Sequence, residues 1–213
     1  AREAVEAERA PHENRVWWLL CLVGGSLLFL VCAWLAHRHT LTGPNLAIFR
    51  HINDLPNGLR TPAWIITVAP SSLLIGVVAV VVAFALKLYQ LSWQLAATVF
   101  AAGGLAWLGK TVIAEPRPYS LVPDVHMRAH EADFGFPSAH VLMVTVVVLT
   151  LWPYLPRLWR LAILLWIPLM AMSRIFLGVH TALDVTGGFA LGLALVSAMR
   201  VAPEPLRKLL RFD

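Results

Sequence analysis

Residues 16–36 read VWWLLCLVGGSLLFLVCAWLA, 21 positions without a charge. At 1.5 Å per residue a helix of that length rises roughly 31 Å, enough to cross a hydrocarbon core of about 30 Å. Trp17 and Trp18 open the run and Trp34 lies near its close, where aromatic side chains mark the two membrane interfaces. Backbone groups in lipid are satisfied only within helices or closed barrels, so this stretch predicts a helical membrane protein.

The whole chain agrees with its first apolar run. Of its 213 residues 59% are apolar and 14% charged, and the mean hydropathy is +0.71. Soluble domains carry roughly 45–50% apolar and about 25% charged residues. This composition excludes a disordered chain and argues against an ordinary soluble enzyme. The formal charge is +5, yet the basic residues cluster at the ends of apolar runs, where they act as topological anchors. No nucleic-acid partner is expected. Cys21 and Cys32 share one run and stand about 16 Å apart along a helix, too far for a disulfide.

Two further uncharged runs, residues 62–86 and 88–109, are separated only by Lys87 and read as an antiparallel hairpin. Three shorter runs follow, at 138–156 with His140, 161–177 with Arg174, and 185–199 just after Asp184. Ionisable groups at such positions are costly in lipid and mark polar, functional pockets. The expectation is an all-α bundle of six transmembrane helices. Residues 1–15 form a polar tail, 16–200 one membrane domain, and 201–213 a basic cytoplasmic tail. The acidic start does not fit a signal peptide. Residues 37–61 read as an interfacial helix and loop, and residues 111–137, with Pro116, Pro118, Pro123 and Pro137, cannot be one helix.

Six spans place both termini on one side with Lys87, Arg157 and Arg160. That side holds ten basic residues (Arg2, Arg9, Arg15, Lys87, Arg157, Arg160, Arg200, Arg207, Lys208, Arg211) against seven opposite (Arg38, Arg50, Arg60, Lys110, Arg117, Arg128, Arg174). The richer side is expected to be cytoplasmic, in the plasma membrane of a bacterium, and the 111–137 loop extracytoplasmic.

Three polar clusters fall on that outer face: Lys110 to Arg117-Pro118, Pro137-Ser138-Ala139-His140, and Ser173-Arg174 to His180 and Asp184. Lys110, Arg117 and Arg174 offer a point charge and two planar forks suited to phosphoryl oxygens. His180 and Asp184 are four residues apart, one turn on a helical face, so the carboxylate is expected to orient the imidazole as a nucleophile. Ser138 and Ala139 stand at a helix start, where backbone amides favour an anion, and His140 is placed to protonate a leaving oxygen. These are the parts of phosphoryl transfer through a phosphohistidine, with charge supplied by side chains; neither metal nor cofactor is called for.

At these residues the chain resembles the type-2 phosphatidic acid phosphatase family of integral membrane lipid phosphatases, related to vanadium haloperoxidases and bacterial acid phosphatases. The family's signature is K-x6-R-P, P-S-G-H and S-R-x5-H-x3-D, and every spacing is matched. The resemblance implies His180 as nucleophile, Asp184 as its orienting partner and His140 as general acid. It implies Lys110, Arg117, Arg174, Ser138 and Ala139 as the phosphate-binding set, with Ala139 standing where the family has glycine. The implied activity is metal-independent hydrolysis of a lipid phosphomonoester or diphosphate. Candidate substrates are phosphatidylglycerol phosphate, undecaprenyl diphosphate, phosphatidic acid and lipid A phosphate. The alternatives are a lipid phosphotransferase using the same histidine and a non-enzymatic anion or lipid transporter.

Other polar residues receive quieter readings. Glu115 reads as a charge-balancing neighbour of the phosphate site. His126, His130, Glu131 and Asp133 are too irregularly spaced for a metal site and read as a solvated loop. His37, His39 and His51 read as interfacial, and Gly188-Phe-Ala-Leu-Gly192 as a close helix contact within the protein.

Overall fold

The computed structural model describes residues 15–67 and 71–210. The proposed polar tail before Arg15 and the last three residues lie outside them. Helix α1 (Arg15–Ala36) is followed by α2 (Gly43–Asn53), a 3-10 turn (Asn57–Leu59), α3 (Arg60–Thr67), α4 (Ser72–Ala85) and α5 (Tyr89–Ile113). The chain continues through a one-turn α6 (Pro118–Leu121), α7 (Ala139–Leu151), a 3-10 turn (Trp152–Tyr154), α8 (Arg157–Leu164), α9 (Trp166–Phe176), α10 (Ala182–Val201) and α11 (Glu204–Leu210). No strand occurs among the described residues.

Among the described residues four helical stretches are long and apolar enough to cross a membrane: Arg15–Ala36, Tyr89–Leu121, Arg157–Phe176 and Ala182–Val201. The run at 62–86 is not one straight helix. It holds α3 and α4, and the pair Asn57–Thr67 and Ser72–Ala85 bends by 46°. The fourth expected span, residues 138–156, corresponds to the shorter apolar stretch Ala139–Tyr154.

Local chemistry sets the breaks. Lys87 takes a left-handed conformation (φ 60°) and lets α4 turn back onto α5. Ala114 (φ 51°) closes α5 with its amide on Lys110 O, and Pro116 forbids continuation. His39 Nε2 lies 2.9 Å from Ile113 O, another carbonyl left free at that end.

The core is built on α7, whose residues from His140 to Val148 are all buried. A helix apolar on every side belongs in the middle of a bundle, and α4, α5, α9 and α10 surround this one. Helix α10 is clamped between α7 and α1. A methyl group on Gly192 would lie 2.8 Å from Thr145 Cβ, and one on Gly188 would run into Ser138 O; on the other side one on Gly25 would lie 2.9 Å from Ala190 O. The Gly188–Gly192 pair therefore serves contact within the chain, as expected. The outside is apolar: Leu20, Leu27 and Trp34 on α1 and Phe100 on α5 project outward, Phe100 at 85% exposure, which suits lipid.

Candidate active site

The three clusters meet at one end of the bundle. Lys110 comes from the last turn of α5, Arg117 from the residue before α6, Ser138 and His140 from the start of α7, Arg174 from the last turn of α9, and His180 and Asp184 from the entry to α10. Arg174, His180 and Asp184 are each 1% exposed and Arg117 2%.

Arg117 is the hub. Its Nη1 donates to Val179 O at 2.7 Å and lies 3.0 Å from His180 Nε2. Asp184 Oδ2 lies 3.4 Å from His180 Nδ1. Arg117 Nη1 reaches both ring nitrogens, at 3.0 Å from Nε2 and 3.3 Å from Nδ1. Because a carboxylate only accepts, Asp184 beside Nδ1 favours the tautomer with the proton there and the lone pair on Nε2. Burial holds His180 well below the ordinary imidazole range, and Arg117, Arg174 and Lys110 push the same way. A neutral ring with its lone pair toward the cations is the form that can attack phosphorus.

The dyad does not arise from helical register. His180 precedes the helix, and Thr181 is the N-cap of α10. Thr181 Oγ1 accepts from Asp184 N at 3.2 Å, and Asp184 Oδ2 accepts from Thr181 N at 2.7 Å. The capping box fixes the carboxylate, and His180, on extended chain just upstream, folds back to meet it.

Ser138 is the N-cap of α7, but its side chain makes no cap hydrogen bond. Among the described residues Ser138 Oγ and Arg174 Nε, both buried, have no hydrogen-bond partner. Both donors are therefore open to a bound acceptor at the site. Ala139 opens the helix with its methyl packed toward the core. His140 is buried and close enough to act electrostatically on His180 and on Glu131.

Two residues read from sequence as solvated loop belong to this cluster. Glu131 Oε2 is 2.6 Å from Arg117 Nη2, and Glu131 Oε1 pairs with Arg174 Nη2. Asp133 pairs with Lys110 Nζ at 2.9 Å and with Arg117 Nη2. Burial alone would raise both acids, but Arg174 and Arg117 hold Glu131 below the usual carboxylate range, and Lys110 with Arg117 does the same for Asp133. The reading of Glu115 also changes. It is 1% exposed, and its electrostatic partner is another acid, Asp184, so it balances no cation of the cradle.

The loop is tied down from a distance. Arg128 donates from Nη1 to Asn53 O and Phe176 O and from Nη2 to Leu55 O, while its backbone amide reaches Leu177 O. Asn53 accepts from His126 N and donates to His126 O. Neither residue stood out in the sequence, since an Asn in an amphipathic segment and an Arg in a loop carry no spacing signal.

Fold and site together define a helical membrane protein with a buried cluster of cations, acids and histidines at one end of the bundle. The chain belongs to the PAP2 superfamily, matched over residues 87–207. It is 32% identical over 109 residues to the undecaprenyl-diphosphatase of Sulfolobus acidocaldarius, covering 49% of this chain and 52% of that one. It is 33% identical over 96 residues to phosphatidylglycerophosphatase B of Bacillus subtilis, covering 40% and 47%. The chain thus spans about half the length of these two relatives. A putative undecaprenyl-diphosphatase of Escherichia coli is 31% identical over 160 residues, 70% of this chain and 77% of that one. Among solved structures, Aquifex aeolicus LpxE superposes with a TM-score of 0.67 at 23% identity over 73% of this chain and 95% of its own. The PAP2-type phosphatidylglycerolphosphate phosphatase of Bacillus subtilis gives 0.65 at 25% identity over 83% and 92%.

Proposed function

We propose that the chain is a membrane-embedded phosphatase acting on a lipid phosphomonoester or diphosphate through a phosphohistidine on His180. The observation that carries this is the convergence of Lys110, Arg117 and Arg174 on the lone-pair side of an imidazole whose other nitrogen faces Asp184.

In the proposed reaction the terminal phosphoryl group replaces the carboxylates on Arg117, Arg174 and Lys110, with Ser138 Oγ and Arg174 Nε completing its donor set. His180 Nε2 attacks phosphorus in line with the leaving oxygen, and Asp184 stabilises the imidazolium that forms. His140 gives its proton to the departing lipid oxygen, or to the departing phosphate of a diphosphate. Neutral His140 then takes a proton from water as that water attacks the phosphohistidine, which releases inorganic phosphate and restores both histidines. The cations meet charge that grows on the equatorial oxygens, so side chains supply the stabilisation and no metal is needed.

The names of the relatives support undecaprenyl diphosphate and phosphatidylglycerol phosphate as substrates, and phosphatidic acid and lipid A phosphate are the further candidates that the family resemblance implies. The proposed setting is the plasma membrane. Residues 16–200 form one membrane domain of six spans, with α3–α4 as a bent second span and the α7 stretch as the fourth. Both termini are cytoplasmic and the cradle is extracytoplasmic. Protein purified in detergent should release phosphate from these lipids with a chelator present, and His180→Ala should abolish release; activity persisting in that variant would remove His180 as nucleophile.

A further inference from the structure

The cation cradle is already filled by the chain's own carboxylates. Glu131 bridges Arg117 and Arg174, and Asp133 bridges Arg117 and Lys110, so two acids from one loop cover all three cations. Glu131 Oε2 also lies 3.9 Å from His180 Nε2, on the path a phosphorus atom would take. The arrangement is anchored: Arg128 and Asn53 fasten the loop to α2 and to the end of α9, and Tyr119 donates to Glu131 O at 2.6 Å. The side chains themselves have somewhere to go. Asp133 is 56% and Glu131 21% exposed, so both can rotate toward water while the backbone ties hold.

We propose that Glu131 and Asp133 are specificity-determining residues that set a charge threshold for entry to the cradle, an inference that rests on the phosphatase reading above. An incoming group must replace two carboxylate charges at once. A phosphomonoester, with close to two negative charges at neutral pH, or a diphosphate end, with more, makes that exchange without loss of charge. A phosphodiester carries one charge and leaves one cation pair uncompensated in a buried site, which is costly. The bulk phospholipids that surround a membrane enzyme are phosphodiesters at far higher concentration than any phosphomonoester substrate. The carboxylate pair keeps them out of a site built to attract phosphate.

The test compares wild type with Glu131→Gln, Asp133→Asn and the double variant, each in detergent and each checked for a cooperative melt. Two probes are used: inorganic phosphate, read by calorimetry, and short-chain phosphatidylglycerol, read as competition against bound phosphate. The double variant should bind inorganic phosphate at least tenfold more tightly than wild type, and phosphatidylglycerol should gain by a larger factor, with each single variant in between. Phosphate affinity unchanged or weakened would overturn the proposal, as would tighter phosphate binding with no gain by the diester. If the double variant does not melt cooperatively, the single variants decide by the same criteria. Binding is read without turnover, so a wild-type protein that binds phosphate but hydrolyses no lipid would sink the phosphatase reading and leave the competition measurable.

Discussion

In the proposed mechanism His180 owes its reactivity to where its neighbours stop. It lies one residue before an N-cap, on chain that is free of helical geometry, and Thr181 holds Asp184 in reach through two hydrogen bonds. The signature spacing names a pair that the structure brings together, but four residues read as a helical turn, and the actual geometry is that of a cap. Glu131 and Asp133 were illegible for a different reason. Their partners are 14 to 43 positions away (Arg117 to Arg174), and loop ties made by Asn53, Tyr119 and Arg128, among others, bring them together. The site also fixes a pH dependence. Protonation of His180 removes the lone pair, and burial with three cations nearby keeps the proton off until well below the usual imidazole value of about 6.5. Activity at subsaturating substrate should therefore hold as pH falls through 6.5 and decline only well below it; an acid limb centred near 6.5 would contradict the assigned nucleophile.

At the scale of elements, the apolar runs located the helices well, because charge is scarce and each run has a physical edge. The bend between α3 and α4 was hidden, since the run from 62 to 86 contains no charge to mark it. The glycines of α10 were legible as a contact face, and the structure adds their partners. Gly192 packs on Thr145 and Gly188 on the first turn of α7, so α10 sits close enough for Ser138 N to donate to Asp184 O at 3.0 Å. Substituting Gly192→Leu should cost about 1–3 kcal/mol or more by overpacking, read as a lower melting temperature in detergent. It should also reduce turnover without touching a reacting group. An unchanged melt would mean that α10 and α7 are held apart by something other than this contact.

For the whole molecule, the proposed six-span topology takes its orientation from the balance of basic residues. Ten against seven favours the side that carries both termini, and the count shifts further because Lys110, Arg117 and Arg174 are engaged in the cradle. A single cysteine placed in loop residues 124–133 of a variant lacking Cys21 and Cys32 should react with an impermeant maleimide added outside intact cells; protection there would invert the topology. The capping box at Thr181 reaches across these scales. The bonds that begin the last long helix are the ones that hold the nucleophile's partner. On the proposed mechanism, fraying of that single turn would stop turnover while nearly all of the helix remained, so a loss of activity would precede any loss of helical signal.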